Sequence, residues 1–393
     1  MRQTMWTALL ALVCASCAHA PLREATIRRM DGSRITAAAA SKLAAETLAA
    51  KHVTGAQLAV IDGGRLVWSE AFGLRGVSPD LPMQTTTTTW AASITKSVFA
   101  TYVMQLVERG EVDLDMPVAR MLDKPLNEYE PYREKASLLV GDPQWARVTP
   151  RMLLSHTAGL LNFATLEPDG KMRLHSAPGS AYWYSGEGFN LLQYVIEQKK
   201  GRPLNQLMDE AIFTPLGMTR TSLVFRPGFE ADIADRFDAG GKFLAKTRRN
   251  PARGAGSMTS SAEDLSRFLA ALFDDRIIKP ATRRQMFSPV ITIRALHQFP
   301  LAANEPEGEE AKRVGLAYGL GWGLLTRTPY GPAFFKEGHG DGAQDYLVCF
   351  ERRQACMILL TNSDNGEAAF KTLLEGIFGE SVTPWEWEGY PAK

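Results

Sequence analysis

The sequence predicts an α+β fold: an antiparallel sheet flanked by helices, with an all-helical lobe inserted into it. Three observations lead there. Strand-like segments cluster near both ends of the chain, at residues 55–72 and 318–361. Helical apolar spacing fills the stretch between them. Adjacent strand-like segments are joined by short clusters of turn residues, as hairpins are.

Taken in order, residues 41–52 (SKLAAETLAAKH) have helical spacing. Residues 55–61 and 65–72 alternate as strands around Asp62-Gly63-Gly64, a hairpin turn cluster. Thr85 to Thr89 are five successive β-branched residues suited to extended backbone. Residues 93–108 (SITKSVFATYVMQLVE) read as a helix closed by Gly110. The stretch 121–148, rich in Pro and charge, reads as an irregular excursion shaped like a lid. Residues 152–161, 189–199, 204–213 and 261–273 read as helices. The basic segment 242–253 and the acidic segment 304–310 read as solvated loops. Strands return at 318–326, 332–337, 345–351 and 355–361, and a last helix covers 367–378. The expected unit spans about 38–380, its sheet lobe drawn from about 38–90 and 315–380 and its helical lobe from about 91–314. A cleft between two such lobes is the expected ligand site.

Composition narrows the function. The 393 residues carry 44 Lys+Arg against 43 Asp+Glu, a net charge of +1. That leaves no basic footprint for nucleic acid. The hydrophobic fraction of 45% is enough for an ordinary globular core. The first 20 residues read as an export signal: Arg2, then an apolar run from Met5 to Val13, far short of the ~20 residues that span a bilayer. Two signal endings fit. Ala18-His19-Ala20 is an A-x-A cleavage pattern, followed awkwardly by Pro21. Ala15-Ser16-Cys17 resembles a lipoprotein signal, in which Cys17 would be lipidated and anchor the protein to a membrane; Cys14 departs from that pattern. The expected location is therefore periplasmic, membrane-anchored or secreted. The other two cysteines, Cys349 and Cys356, fall opposite each other across a predicted turn. They are expected as buried free thiols, because directly opposed strand positions strain a disulfide. An exported protein would permit the bridged alternative.

The chemistry begins with absences. The sequence has no H-E-x-x-H, no metal-spaced Cys/His set, no P-loop, no dinucleotide glycine fingerprint and no G-x-S-x-G. Ser93-Ile94-Thr95-Lys96 is its single S-x-x-K. Alone this is weak, since about one match is expected by chance at this length. Its place strengthens it. It opens a helix, where i and i+3 share a face, so the Lys96 amine can reach the Ser93 hydroxyl. Partial positive charge at the helix start favours neutral Lys96, a competent base for a serine. The plain structural alternative is a serine N-cap with an exposed lysine.

Three further segments join it: L-L-S-H-T-A-G-L at 153–160, P-G-S-A-Y-W-Y-S-G-E-G-F at 178–189 and G-H-G-D-G at 338–342. With S-I-T-K they resemble the serine β-lactamase and penicillin-binding-protein superfamily, nearest its class C β-lactamase, esterase and D-amino-acid-peptidase branch. The likeness runs from about residue 41 to 378. It implies a β-lactamase/transpeptidase-like fold and a serine hydrolase working through an acyl-enzyme, with no metal or cofactor. The substrate is a small molecule or peptide carrying an ester, amide or D-amino-acid peptide bond. Ser93 resembles the nucleophile, Lys96 its base and Tyr184 the tyrosine of the second motif, made phenolate-like by Lys96. His339 takes the place of the third motif's Lys or His. The backbone amides of Ser93 and Gly342 would form the oxyanion hole. The chain departs from the pattern at Gly186, where an Asn that binds the substrate amide usually stands, and at Asp341, where a Gly is usual. Both departures favour esters over β-lactams. His156 reads as a hydrogen-bonded core residue, and Ser363-Asp364-Asn365 as a turn. The competing reading is a catalytically inactive relative that binds cell-wall peptide or a protein partner; an intact Ser93, Lys96 and Tyr184 set stands against it.

Overall fold

The computed structural model describes residues 25–299, 305–379 and 382–390. The export-signal reading and Cys17 lie outside them. The sheet has nine strands: β1 (Gly55–Asp62), β2 (Arg65–Val77), β3 (Asp80–Pro82), β4 (Ile291–Thr292), β5 (Leu316–Tyr318), β6 (Gly323–Leu325), β7 (Ala333–Gly340), β8 (Ala343–Phe350) and β9 (Ala355–Thr361). Their spatial order is β4-β5-β6-β7-β8-β9-β1-β2-β3, antiparallel at every pairing. The two ends of the chain meet where β9 pairs with β1. The edge strand β4 comes from a region expected to be wholly helical.

Alternation along the strands sorts the core into two layers. Ala59, Ile61, Leu347, Cys349, Ile358 and Leu360 face one side, with the helices α2 (Ile94–Glu108) and α4 (Ala262–Phe273). Leu58, Val60, Tyr346, Val348, Met357 and Leu359 face the other, with α1 (Ala37–Ala50) and α5 (Glu367–Leu373). The remaining long helix, α3 (Gly186–Lys200), packs into the first layer through Phe189, Leu192 and Val195. A short C-terminal helix, α6 (Trp385–Glu388), buries Trp385 and Trp387 in the second.

Several expectations are corrected. The β1–β2 hairpin turns on Gly63 and Gly64 alone, both left-handed at φ 59° and 73°, as a two-residue turn of this hand requires. Of the threonine run only Thr89 joins a strand, Thr89–Trp90, which pairs with Thr259–Ser260. The helix expected over 152–161 is a single turn, Pro150–Leu154. The excursion 121–148 is irregular but not a loose cover: Leu126, Tyr132, Leu139, Trp145 and Val148 are buried in the first layer. Cys349 and Cys356 face each other in register and form a disulfide. Their Cα atoms are 4.1 Å apart. That is near the ~4.5 Å of a non-hydrogen-bonded antiparallel pair, the position that brings side chains closest.

Candidate active site

Ser93 is presented by a backbone bend. Ala92 has φ 36°, a left-handed conformation that costs a non-glycine residue of the order of 1–3 kcal/mol. Its surroundings hold it there. The Ala91 amide donates to the Met258 carbonyl (2.9 Å), the Met258 amide to Thr95 Oγ1 (3.0 Å), and Trp90 Nε1 to the Gly256 carbonyl (2.6 Å). Ser93 then stands at the N-cap of α2, but its side chain makes no capping bond. This rules out the plain N-cap reading. Lys96 is not on the surface either: it is 1% exposed, with Nζ 2.9 Å from Ser93 Oγ and 2.7 Å from the Ala255 carbonyl. Burial first, then the charge of Lys336, push its amine well below the ordinary lysine value, partly offset by Glu337. Lys96 is thus poised as a neutral base.

Tyr184 closes the group. The loop 153–162 holds it from both sides: Trp183 N–H donates to the His156 carbonyl, Ser185 N–H to His156 Nδ1 (3.0 Å) and Glu187 N–H to the Asn162 carbonyl. The His156 ring stacks on Tyr184 with centroids 4.3 Å apart. His156 is 1% exposed; burial first, and the charge of Lys336, keep it neutral, the core role expected of it. The Tyr184 hydroxyl lies within electrostatic range of Ser93 and of Glu337. Burial, then Glu337, push its phenol well above its ordinary value. The resting tyrosine is therefore protonated, not the phenolate expected beside Lys96.

The third motif is displaced by three residues from its expected place. The cation at Tyr184 is Lys336, fully buried, with Nζ 3.1 Å from Tyr184 Oη. Along β7, Phe334 faces the α2 side, so alternation puts Lys336, Gly338 and Gly340 there too. The motif is thus Lys336-Glu337-Gly338, which restores the usual Gly at the third place. A Cβ on Gly338 would lie 2.9 Å from the Ala91 carbonyl, so β7 passes the backbone leading into Ser93 too closely for any side chain. His339 instead has Nε2 2.9 Å from Glu367 Oε1 and its ring against Tyr390. Gly342 is turned away, packed against Arg236 and Phe237, and its amide donates to Asp364 Oδ1. Asp341 lines the cavity, while its carbonyl accepts from Arg236 Nη1 (2.7 Å). Ser363-Asp364-Asn365 is a turn, with Ser363 Oγ bonded to Asn365 Oδ1.

These groups open into a cavity of about 800 Å³. Its aromatic lining is Trp90, Phe163, Tyr184 and Phe299, and Phe299 stands 5.1 Å from Tyr184, ring to ring. Gly186 does not line it: its amide donates to Asn162 Oδ1 (2.8 Å), and Asn162 lines the wall in front of it. The basic loop is not merely solvated, for Arg249 and Arg253 reach the cavity and Arg249 lies 3.9 Å over the Trp90 ring. Sequence reasoning missed Lys336, Glu337, Asn162 and Arg249. For the first two the signal was present, because K-E-G fits the motif better than H-G-D. Among the described residues no cluster of three or more His, Cys, Asp or Glu is arranged to hold a metal, and no helix is long and apolar enough to cross a membrane.

A family model described as Beta-lactamase matches residues 40–378. The chain belongs to the beta-lactamase family. Relatives include esterase EstB of Burkholderia gladioli, 27% identical over 360 residues, covering 72% of this chain and 88% of the esterase. The D-alanyl-D-alanine-carboxypeptidase/endopeptidase AmpH of Escherichia coli is 24% identical, covering 82% of this chain and 83% of that one. Among solved structures, the octameric penicillin-binding protein homologue from Pyrococcus abyssi superposes with a TM-score of 0.69 at 22% identity, over 88% of this chain and 79% of that one. The D-amino acid amidase from Ochrobactrum anthropi does so at 0.64 and 24%, over 86% and 97%. The family's fold and its character as serine hydrolases accord with the expectations from the motifs.

Proposed function

We propose that this protein is an exported serine hydrolase that forms an acyl-enzyme on Ser93 and cleaves small esters in preference to β-lactams. The observation that carries the reading is the 2.9 Å contact between Ser93 Oγ and the buried, neutral Lys96 amine, which also stands 4.9 Å from the centre of the Tyr184 ring.

In acylation Ser93 Oγ adds to the carbonyl carbon and its proton passes to Lys96. The leaving alkoxide takes the proton of Tyr184. In deacylation water gives a proton to the Tyr184 phenolate as it attacks. Lys96 returns its proton to Ser93 Oγ as that bond breaks. Acid and alcohol leave, and each group is back in its starting state. The Ser93 N–H has no partner among the described residues and is one oxyanion donor. Counting three residues from Lys336 makes His339 N–H the second, in place of Gly342.

Ester preference rests on three features. Glu337 pairs with Lys336 and cancels the charge that would draw a substrate carboxylate. Asp341 adds negative charge to the wall. Gly186 offers no side-chain amide. Arg249 and Arg253 favour a second reading, a D-amino-acid peptide whose carboxylate reaches the outer wall. EstB and AmpH, an esterase and a carboxypeptidase/endopeptidase, exemplify the two readings. The N-terminal signal pattern supports export, with cleavage after Ala20 or lipidation at Cys17, and the Cys349–Cys356 disulfide fits an oxidising compartment.

The test is the ratio of kcat/KM for a chromogenic short-chain ester to that for a chromogenic cephalosporin, in wild type and in Ser93→Ala. A ratio above one, with both activities lost in the variant, is expected. A ratio below one refutes the preference; near-wild-type turnover by Ser93→Ala refutes the nucleophile.

A further inference from the structure

The middle residue of the third motif is a carboxylate sealed inside the site. Glu337 is 2% exposed and Lys336 0%. Strand β6 pairs with β7 only as far as Phe335, so Lys336 and Glu337 lie just beyond the paired stretch of that edge. There the Glu337 carboxylate pairs with Lys336 Nζ. Lys336 Nζ is 3.1 Å from the same phenol oxygen. The three groups form a chain, Glu337–Lys336–Tyr184, and the carboxylate's charge also acts on the phenol.

The surroundings fix the charge of this group. Facing Glu337 are Lys336 and His339 of its own strand, Lys96 of α2, Tyr182 and Tyr184 before α3, Tyr318 of β5, Tyr346 of β8, and Glu388 and Tyr390 at the C-terminus. Burial raises the Glu337 carboxyl, but Lys336 above all, with His339 and a backbone hydrogen bond, together outweigh it and hold the group ionised. The second carboxyl, Glu388, is pushed up by burial and by Glu337, and so stays protonated.

We propose that Glu337 is a positioning residue that sets the proton affinity of Tyr184 and thereby speeds deacylation. This rests on the acyl-enzyme reading above. Once Tyr184 has given its proton to the leaving group, its phenolate stands beside a second negative charge. Repulsion makes that phenolate a stronger base toward the deacylating water. The balance of the reaction is unchanged: the proton goes from water to Tyr184 Oη, the water oxygen bonds the acyl carbon, and Glu337 keeps its charge throughout. Lys336 prevents the two anions from destabilising the site outright.

The experiment is pre-steady-state hydrolysis of a p-nitrophenyl ester by wild type, Glu337→Gln and Glu337→Asp, with mass analysis of the Ser93 peptide during turnover. Glu337→Gln is expected to show a burst near one equivalent, an acylated Ser93 at steady state and a kcat lower by about 10–100-fold, while kcat/KM falls far less. Its kcat/KM should also acquire a falling alkaline limb, as Tyr184 titrates lower. Glu337→Asp keeps the charge and should show no such accumulation. Parallel loss of kcat and kcat/KM without a burst, unchanged kinetics in Glu337→Gln, or a burst in Glu337→Asp equal to that of Gln would each overturn the role of Glu337 alone. Turnover with no Ser93 adduct in any of the proteins would overturn the acyl-enzyme reading itself.

Discussion

Replacing Gly338 with alanine separates the two registers of the third motif. Gly338 does not have a left-handed φ, so alanine carries no backbone penalty there. The cost is steric. The new Cβ would lie 2.9 Å from the Ala91 carbonyl oxygen and 3.1 Å from Asp345 Oδ2. Ala91 is held by the hydrogen bond its amide donates to the Met258 carbonyl, so relief must come from β7 moving away from Ser93 by roughly half an ångström, an overpacking that costs about 1–3 kcal/mol. Since a displacement of about 1 Å at reacting groups costs about 10²-fold, half of it should cost about tenfold in kcat/KM. Ester hydrolysis and thermal unfolding measure the two effects together. Gly141→Ala, where a Cβ meets nothing within 4 Å, is the matched control and should be silent. Asp341→Gly, which would restore the motif in the rejected register, should change kcat/KM by less than about threefold, as a substitution off the reacting groups does. Wild-type activity and stability in Gly338→Ala, or a large gain in Asp341→Gly, would refute the assignment of Lys336-Glu337-Gly338.

Three other outcomes follow from the geometry. Because Lys96 must be neutral and its amine is depressed, kcat/KM should rise through an acidic limb well below the ordinary lysine value and stay flat near pH 10, Tyr184 being pushed above that; a falling limb at pH 10 would contradict the assignment. Gly186→Asn should not by itself raise cephalosporin turnover, because its Cβ would lie 3.0 Å from both Asn162 Oδ1 and Phe163 Cε1. A tenfold gain would show that the wall yields. Removing the disulfide by Cys349→Ser and Cys356→Ser together should lower stability by about 2–3 kcal/mol in denaturant unfolding, from closure of a loop of seven residues' separation; identical midpoints with and without reductant in wild type would mean that the bridge contributes nothing.

Much of the fold was legible because its elements are locally specified. The β1–β2 hairpin carried its two-glycine turn, α2 its apolar spacing and Gly110, and β9 its continuous apolar run. What was hidden depends on partners distant in sequence. The threonines at 85–88 look extended, but their hydroxyls serve other elements, as when Thr85 bonds Glu263 and Thr87 bonds Asp232. The lid expected at 121–148 is instead wall, because Tyr132 and Trp145 find a core that local composition does not reveal. At the site, Ser93, Lys96 and Tyr184 were readable from motifs. Lys336 was obscured by a histidine three residues on with a similar neighbourhood, and only the strand's alternation tells them apart. Asn162 has no motif of its own; it matters because the backbone of Gly186 needs an acceptor and leaves room for one.

The most direct measurement is peptide mass spectrometry of the protein after reaction with a fluorophosphonate. Ser93 should carry the phosphonyl adduct, and Lys96→Ala should slow its formation severely by removing the base 2.9 Å away. An adduct on another residue, or none while ester hydrolysis persists in Ser93→Ala, would contradict Ser93 as the nucleophile.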